Sequence, residues 1–169
     1  MTTTNTATYS YTRTHTATHL SDTIMASISD ILVTLGIDTA RHFQRWQLNA
    51  NAITRWIEEG SLEQVAVECV RPDGTVAPVF EFVVTYTAGG IGDRKFTADN
   101  ASLLTYLAKI QSVPLGTTFR LFCSYRWTPS EQPGWTDGTR ASTSGLRTRS
   151  IGTLAGAPDA IATARVHTI

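Results

Sequence analysis

The sequence is poor in lysine, in cysteine and in uncompensated charge. Lys95 and Lys109 are its only lysines, and its 14 basic residues are matched by 14 acidic ones, for a formal net charge of +0. That balance argues against a dedicated nucleic-acid or anionic-membrane protein, which carries a clear basic excess. The two cysteines, Cys69 and Cys123, each sit inside an apolar alternating run and read as free thiols acting as small core hydrophobes. The opening MTTTNTATYS has neither the basic nor the apolar region of a signal peptide, and no apolar run reaches membrane-spanning length. A cytoplasmic protein is expected.

Catalytic patterns are missing as well. There is no Gly-x-Ser-x-Gly elbow, and neither cysteine has the surroundings of a nucleophile. His15 and His19 have the i, i+4 spacing of two metal ligands on a helix, but they fall on the expected strand-to-helix boundary, and no cysteine or carboxylate cluster completes a site. Gly89-Gly90-Ile91-Gly92-Asp93-Arg94 lacks the Lys-Ser/Thr ending of a phosphate-binding loop and reads as a plain loop. Glu58 and Glu59 are adjacent, so on a helix they diverge into solvent. No catalytic, cofactor or metal residue is expected, and the chain is expected not to be an enzyme.

What is present suits one domain with a single core: 169 residues, 41% of them apolar, including four tryptophans. Leu20, Ile24, Ile28, Ile31, Leu32 and Leu35 recur at helical spacing, with Ser21 or Asp22 as candidate N-cap and Gly36 as terminator. Phe43, Trp46, Ala50, Ile53 and Ile57 mark a second helical region closing at Gly60, divisible in two because Asn49 and Asn51 are poor helix formers. The period then changes to two. Val65, Val67 and Cys69 share one face, Arg71-Pro72-Asp73-Gly74-Thr75 is a turn, and Phe80, Phe82, Val84 and Tyr86 return as the partner strand. A helix over 99–111 uses Leu103, Leu104, Leu107 and Ile110, and Phe119 to Trp127 is a further alternating strand.

Two segments stand apart. In TATYSYTRTHTAT, residues 6–18, every even position is Thr or Ser, an alternation that predicts a strand. Neither face carries Val, Ile or Leu, so the strand is expected to be weakly held. From Thr128 the chain is rich in Gly, Pro, Ser and Thr with scattered apolar residues, which reads as a disordered tail or a functional flap. Gly145 to Leu154 alternates weakly, as an edge strand does. Arg140, Arg147 and Arg149 add local positive charge to this segment.

Several stretches carry a resemblance. They are Tyr9-Ser10-Tyr11-Thr12, Thr16-Ala17-Thr18-His19-Leu20-Ser21-Asp22-Thr23-Ile24 and Ile31-Leu32-Val33-Thr34-Leu35-Gly36-Ile37-Asp38. Trp46, Ala52-Ile53-Thr54-Arg55-Trp56-Ile57 and Gly60-Ser61-Leu62 follow, then Pro133-Gly134-Trp135, Arg140-Ala141-Ser142-Thr143-Ser144-Gly145-Leu146 and Ser150-Ile151-Gly152. In this order they resemble the bacterial HORMA-domain family. The resemblance implies an α+β fold, with helices packed on a mainly antiparallel sheet and a C-terminal safety belt that wraps a bound closure-motif peptide. It implies an N-terminal arm over 1–18, a core over 19–127 and a belt over 128–169. It further implies a part in anti-phage signalling: the closed protein activates a cyclic-oligonucleotide synthase, and an AAA+ ATPase resets it by pulling at the N-terminus.

On that reading Trp135, Arg140, Leu146, Arg147, Arg149 and Ile151 are the expected peptide-contacting residues. Tyr9, Tyr11, Arg13 and His15 form the expected N-terminal handle, or a strand donated to a second copy. Two alternatives stay open at this point. One is a generic protein-interaction domain with flexible arms. The other is a single-strand nucleic-acid binder using Arg140, Arg147, Arg149 and nearby tryptophans.

Overall fold

A computed structural model describes the backbone of residues 2–87 and 95–169, and the side chains of 12–87 and 95–169. The glycine-rich loop singled out in the sequence and the side chains of Tyr9 and Tyr11 lie outside these residues.

The chain opens with one long helix, α1 (Thr2–Leu35). This corrects the strand expected over residues 6–18. The Thr/Ser alternation places no Val, Ile or Leu on either face, so a strand there would bury little aliphatic surface. The helical stripe of Leu20, Ile24, Ile28 and Ile31 instead continues back to Ala17, and all five are fully buried. Extending an established helix costs less than nucleating a new element. Thr18 and Thr23 fit by donating their hydroxyls to the carbonyls four residues earlier, at 3.2 and 3.0 Å. Ser21 is therefore no cap but a buried interior residue, its hydroxyl 3.3 Å from the Ala50 carbonyl.

Gly36 ends α1 with φ +70°, the backbone that the terminator reading required. The second helical region is indeed two helices, α2 (Ala40–Gln44) and α3 (Trp46–Glu58), although the break falls at Arg45 and not at the asparagines. Asn49 is buried within α3.

The remaining elements are β1 (Leu62–Val70), β2 (Val76–Tyr86), the two-residue β3 (Thr97–Ala98), α4 (Ala101–Leu107), β4 (Thr118–Tyr125), β5 (Arg147–Gly156) and β6 (Ala160–Thr168). The Arg71–Thr75 turn forms as expected, closed by Arg71 N–H to Thr75 O at 2.8 Å. All six strands join one antiparallel sheet in the order β3-β5-β6-β2-β1-β4.

Register assigns the faces. Cys123, Val65, Phe82 and Ala164 lie in one row across four strands, and Leu121, Val67, Phe80 and Val166 in another. These rows pack with the apolar stripe of α1 in a single core. On the opposite face the rows read Phe122, Ala66, Glu81, Arg165 and Arg120, Glu68, Val79, His167.

The late segment is more ordered than the flap or tail expected of it. Residues 147–168 form the β5–β6 hairpin, and β6 lies well inside the sheet, between β5 and β2. Its Ala160, Ala162, Ala164 and Val166 are buried. Small residues give β6 little hydropathy, which hid it in the sequence.

Candidate functional site

The sheet order creates an unusual path. The chain leaves the sheet at β4, its edge strand, and re-enters at β5, on the far side of β2 and β6. Residues 126–146 are the strap that makes this crossing, and they are tacked down along their length.

Arg126 starts it. Its Nε and Nη2 donate to the Gly60 carbonyl at 2.9 and 2.7 Å, and its guanidinium lies 4.2 Å from the Tyr86 ring centroid. Glu59 and Trp56 take the next grip: Ser130 N–H donates to Glu59 Oε1 at 2.9 Å, and Trp56 Nε1–H donates to the Ser130 carbonyl at 2.8 Å. Burial works against the Glu59 carboxylate, yet the hydrogen bonds from Ser130 and Ser61 outweigh it and set its pKa below the usual range.

Farther on, Arg45 Nη2 donates to the Gly134 carbonyl at 2.7 Å, and Trp135 meets Trp56 edge to face at 5.2 Å. Gly134 has φ +80°, and a Cβ there would lie 2.2 Å from Leu48 Cδ2. Only glycine fits. Gly138 also crosses Phe122 of β4 closely, since a Cβ would stand 2.8 Å from that ring.

The last tack is ionic. Arg140 Nε and Nη1 reach Glu68 Oε2 at 3.2 Å and Glu81 Oε2 at 2.8 Å, while Ala141 N–H donates to Glu68 Oε2 at 3.0 Å. Both carboxylates are buried mid-strand, and other basic side chains hold their remaining oxygens. Arg120 binds Glu68 Oε1 at 2.8 Å; Arg165 and His167 each bind Glu81 Oε1 at 2.6 Å. Burial alone pushes the Glu81 pKa upward, but hydrogen bonds from His167, Arg165 and Arg140 overcome it and hold the value at about 2.

Between the strap and the outer edge of β4 lies a groove of about 1060 Å³. Its floor is β4 from Phe119 to Cys123 with Tyr125, its roof is the strap from Thr128 to Gly138, and one side is closed by His42 of α2, Trp56 of α3 and Arg45 between the two helices. His42 is buried, with Nε2 2.9 Å from Ser29 Oγ, and burial lowers its pKa, favouring the neutral imidazole. Cys123 is half-buried on the groove floor and Cys69 fully buried in the core; both are free. Burial raises both thiol pKa values, that of Cys69 to about 12.

The six residues expected to form one site do not converge. Trp135 alone lines the groove. Arg140 clasps the strap to the far face of the sheet. Leu146 precedes β5, Ile151 is buried within it, and Arg147 and Arg149 are exposed on it. Engaged with two buried carboxylates, Arg140 is not available to nucleic acid. Among the handle residues, Arg13 Nε binds Asp159 Oδ2 at 2.6 Å and its guanidinium lies 5.1 Å from the Tyr86 ring. His15 is exposed, and His19 Nε2 lies 2.7 Å from the Thr97 carbonyl. No group of three His, Cys, Asp or Glu among the described residues could hold a metal. No helix among them is long and apolar enough to cross a membrane.

Sequence reasoning missed Glu68, Glu81 and Asp159. The first two carried a signal, for a carboxylate between Val67 and Cys69, or between Phe80 and Phe82, needs a buried partner.

No curated protein matches the chain. Solved structures of the same fold include the mitotic checkpoint complex, with a TM-score of 0.77 at 10% identity over 92% of this chain and 99% of the other. C. elegans HTP-1 bound to the HIM-3 closure motif matches with a TM-score of 0.69 at 15% identity, over 88% of both chains. The E. coli MS115-1 HORMA:CdnC:Trip13 complex gives 0.62 at 14% identity, over 92% of this chain and 89% of the other. The model of the bacterial HORMA domain 2 family matches residues 3–165, nearly the whole chain, and the protein belongs to that family.

Proposed function

We propose that the protein is a peptide-binding switch that acts by binding and not by catalysis. An extended closure-motif peptide pairs with the outer edge of β4 as an added strand, and the strap closes over it. The observation that carries this reading is the roofed strand edge: β4 ends the sheet, and residues 128–138 cross it at the far wall of a groove. The unpaired main chain of an edge strand supplies affinity, and side-chain pockets supply selectivity. The seven-interval length of β4 spans roughly 23 Å, enough for six to eight peptide residues.

In this reading the peptide-bound protein activates a cyclic-oligonucleotide synthase in anti-phage defence, and an AAA+ ATPase resets it. Family membership supports both partners, as does the likeness to a bacterial HORMA held with CdnC and Trip13. The N-terminal segment is the handle. Arg13 and Thr16 both grip Asp159 in the β5–β6 turn, at 2.6 and 2.5 Å. Unwinding α1 through Thr16 therefore removes both side-chain partners of a buried carboxylate and frees the hairpin at the end of the strap. Donation of residues 1–18 to a second copy as a strand would require the same unwinding.

Reconstitution with a candidate cyclic-oligonucleotide synthase and AAA+ ATPase from the same genome tests the proposal. Second-messenger synthesis is expected to require the protein and to fall when the ATPase and ATP are added. Synthesis indifferent to the protein would overturn it.

A further inference from the structure

A second concavity, of about 840 Å³, shares no lining residue with the groove. Its walls come from three places: the β1–β2 turn with Arg71, α4 and its C-terminal turn with Tyr106 and Lys109, and the β5–β6 hairpin with Arg149. Three cations line it, and no aspartate or glutamate does.

The chain as a whole is neutral, and Arg13, Arg55, Arg120, Arg140 and Arg165 each have a carboxylate partner, whereas Arg41, Arg45, Lys95, Arg126 and Arg147 are scattered over the described surface without one within 4.0 Å. Arg71, Lys109 and Arg149 have none within 4.0 Å among the described residues. Arg71 Nε is occupied by the Ala77 carbonyl at 3.0 Å, and Arg149 lies 5.4 Å from the Tyr106 ring centroid. Neither contact neutralises charge. One of the chain's two lysines is here, in a protein that otherwise relies on arginine.

We propose that this concavity binds a phosphorylated small molecule through its phosphate groups, bridging α4 and the β5–β6 hairpin. Asp73 of the same turn offsets part of the Arg71 charge but does not line the hollow. Like charges gathered around one hollow repel one another, and a compact polyanion relieves that repulsion. Guanidinium forks match phosphate oxygens, and the volume lies within the range of small-ligand sites. The cations surround a hollow from three elements and do not run along one edge, which suits a compact ligand over an extended acidic chain. Because one wall is the hairpin, the ligand stabilises the hairpin in its place beside β2.

Calorimetry on the full-length protein at low salt, with inorganic triphosphate, ATP and adenosine, tests this. Triphosphate and ATP are expected to bind, more weakly as salt rises, and adenosine not to bind. The exposed substitutions Lys109→Gln and Arg149→Gln should each weaken triphosphate at least tenfold with unchanged circular dichroism. Bound triphosphate should slow amide exchange across β5–β6. Failure of triphosphate to bind at millimolar concentration, wild-type affinity in both variants, or binding without slower hairpin exchange would each overturn the proposal. Peptide binding at the β4 groove involves none of these residues and is measured separately.

Discussion

Arg13 Nε lies 2.6 Å from Asp159 Oδ2, an ion pair that joins the first helix to the last turn of the sheet across 146 residues. Asp159 is 1% exposed, and Thr16 Oγ holds its other oxygen. Arg13 and Arg126 also flank the Tyr86 ring, so the foot of α1, the start of the strap and the hairpin turn meet at one point. Removing one partner of a buried pair leaves a costly uncompensated charge.

Arg13→Ala is therefore expected to destabilise the protein by about 3 kcal/mol. The loss should concentrate in the β5–β6 hairpin, read by hydrogen exchange of its amides. Uniform loss of protection across the whole sheet would contradict a local clasp.

The strap's ionic tack makes a second expectation. Arg140→Ala leaves Glu68 and Glu81 with their sheet partners but removes the strap's ionic tack, so a bound peptide should dissociate about tenfold faster or more, with a smaller change in association. Surface plasmon resonance separates the two rates. A changed association rate with unchanged dissociation would argue against a strap that retains the peptide.

Acid should act through Glu81. Its folded pKa is about 2, against an ordinary glutamate value of 4.5, so the unfolded chain binds the proton first as pH falls. The stability it contributes is full above the unfolded value, on the order of 3 kcal/mol, and is lost as pH falls from about 4.5 toward 2. Denaturant titrations across that window should show the loss, and Glu81→Gln should reduce its pH dependence.

Gly134→Ala forces a Cβ into Leu48 and a non-glycine residue into a positive φ. Loss of at least 1 kcal/mol is expected from the backbone alone, and peptide retention should weaken because Trp135 follows directly. Gly145 also has positive φ, but nothing stands within 4 Å of its Cβ position, so Gly145→Ala separates backbone strain from collision.

Much of the core was legible because burial and periodicity agree there. The α1 stripe from Leu20, the Arg71–Thr75 hairpin and the β4 alternation each place large apolar residues at one fixed spacing. Where side chains are small, the period becomes ambiguous. TATYSYTRTHTAT alternates perfectly and still forms helix, because its neighbour's stripe reaches back to Ala17 and nothing in it rewards a strand. For β6 the same smallness concealed a strand inside the sheet, since ARVHT and its alanines look like a tail.

The site was harder to read. Trp135 stood out as the largest apolar residue of the late segment, and it does line the groove. Arg140 stood out as charge, yet its role depends on Glu68 and Glu81, which lie 72 and 59 positions earlier. Such pairing is a property of the strap's path, and no local pattern encodes that path.

The most direct test is amide hydrogen exchange on β4 with a bound peptide. The peptide would be selected from a random display library on the full-length protein. Alternate amides of residues 118–125, those pointing away from β1, should become protected when it binds, and protection should be short-lived in Arg140→Ala. Protection that appears elsewhere on the molecule, leaving the outer edge of β4 exchanging as before, would contradict the assignment of this edge as the peptide's seat.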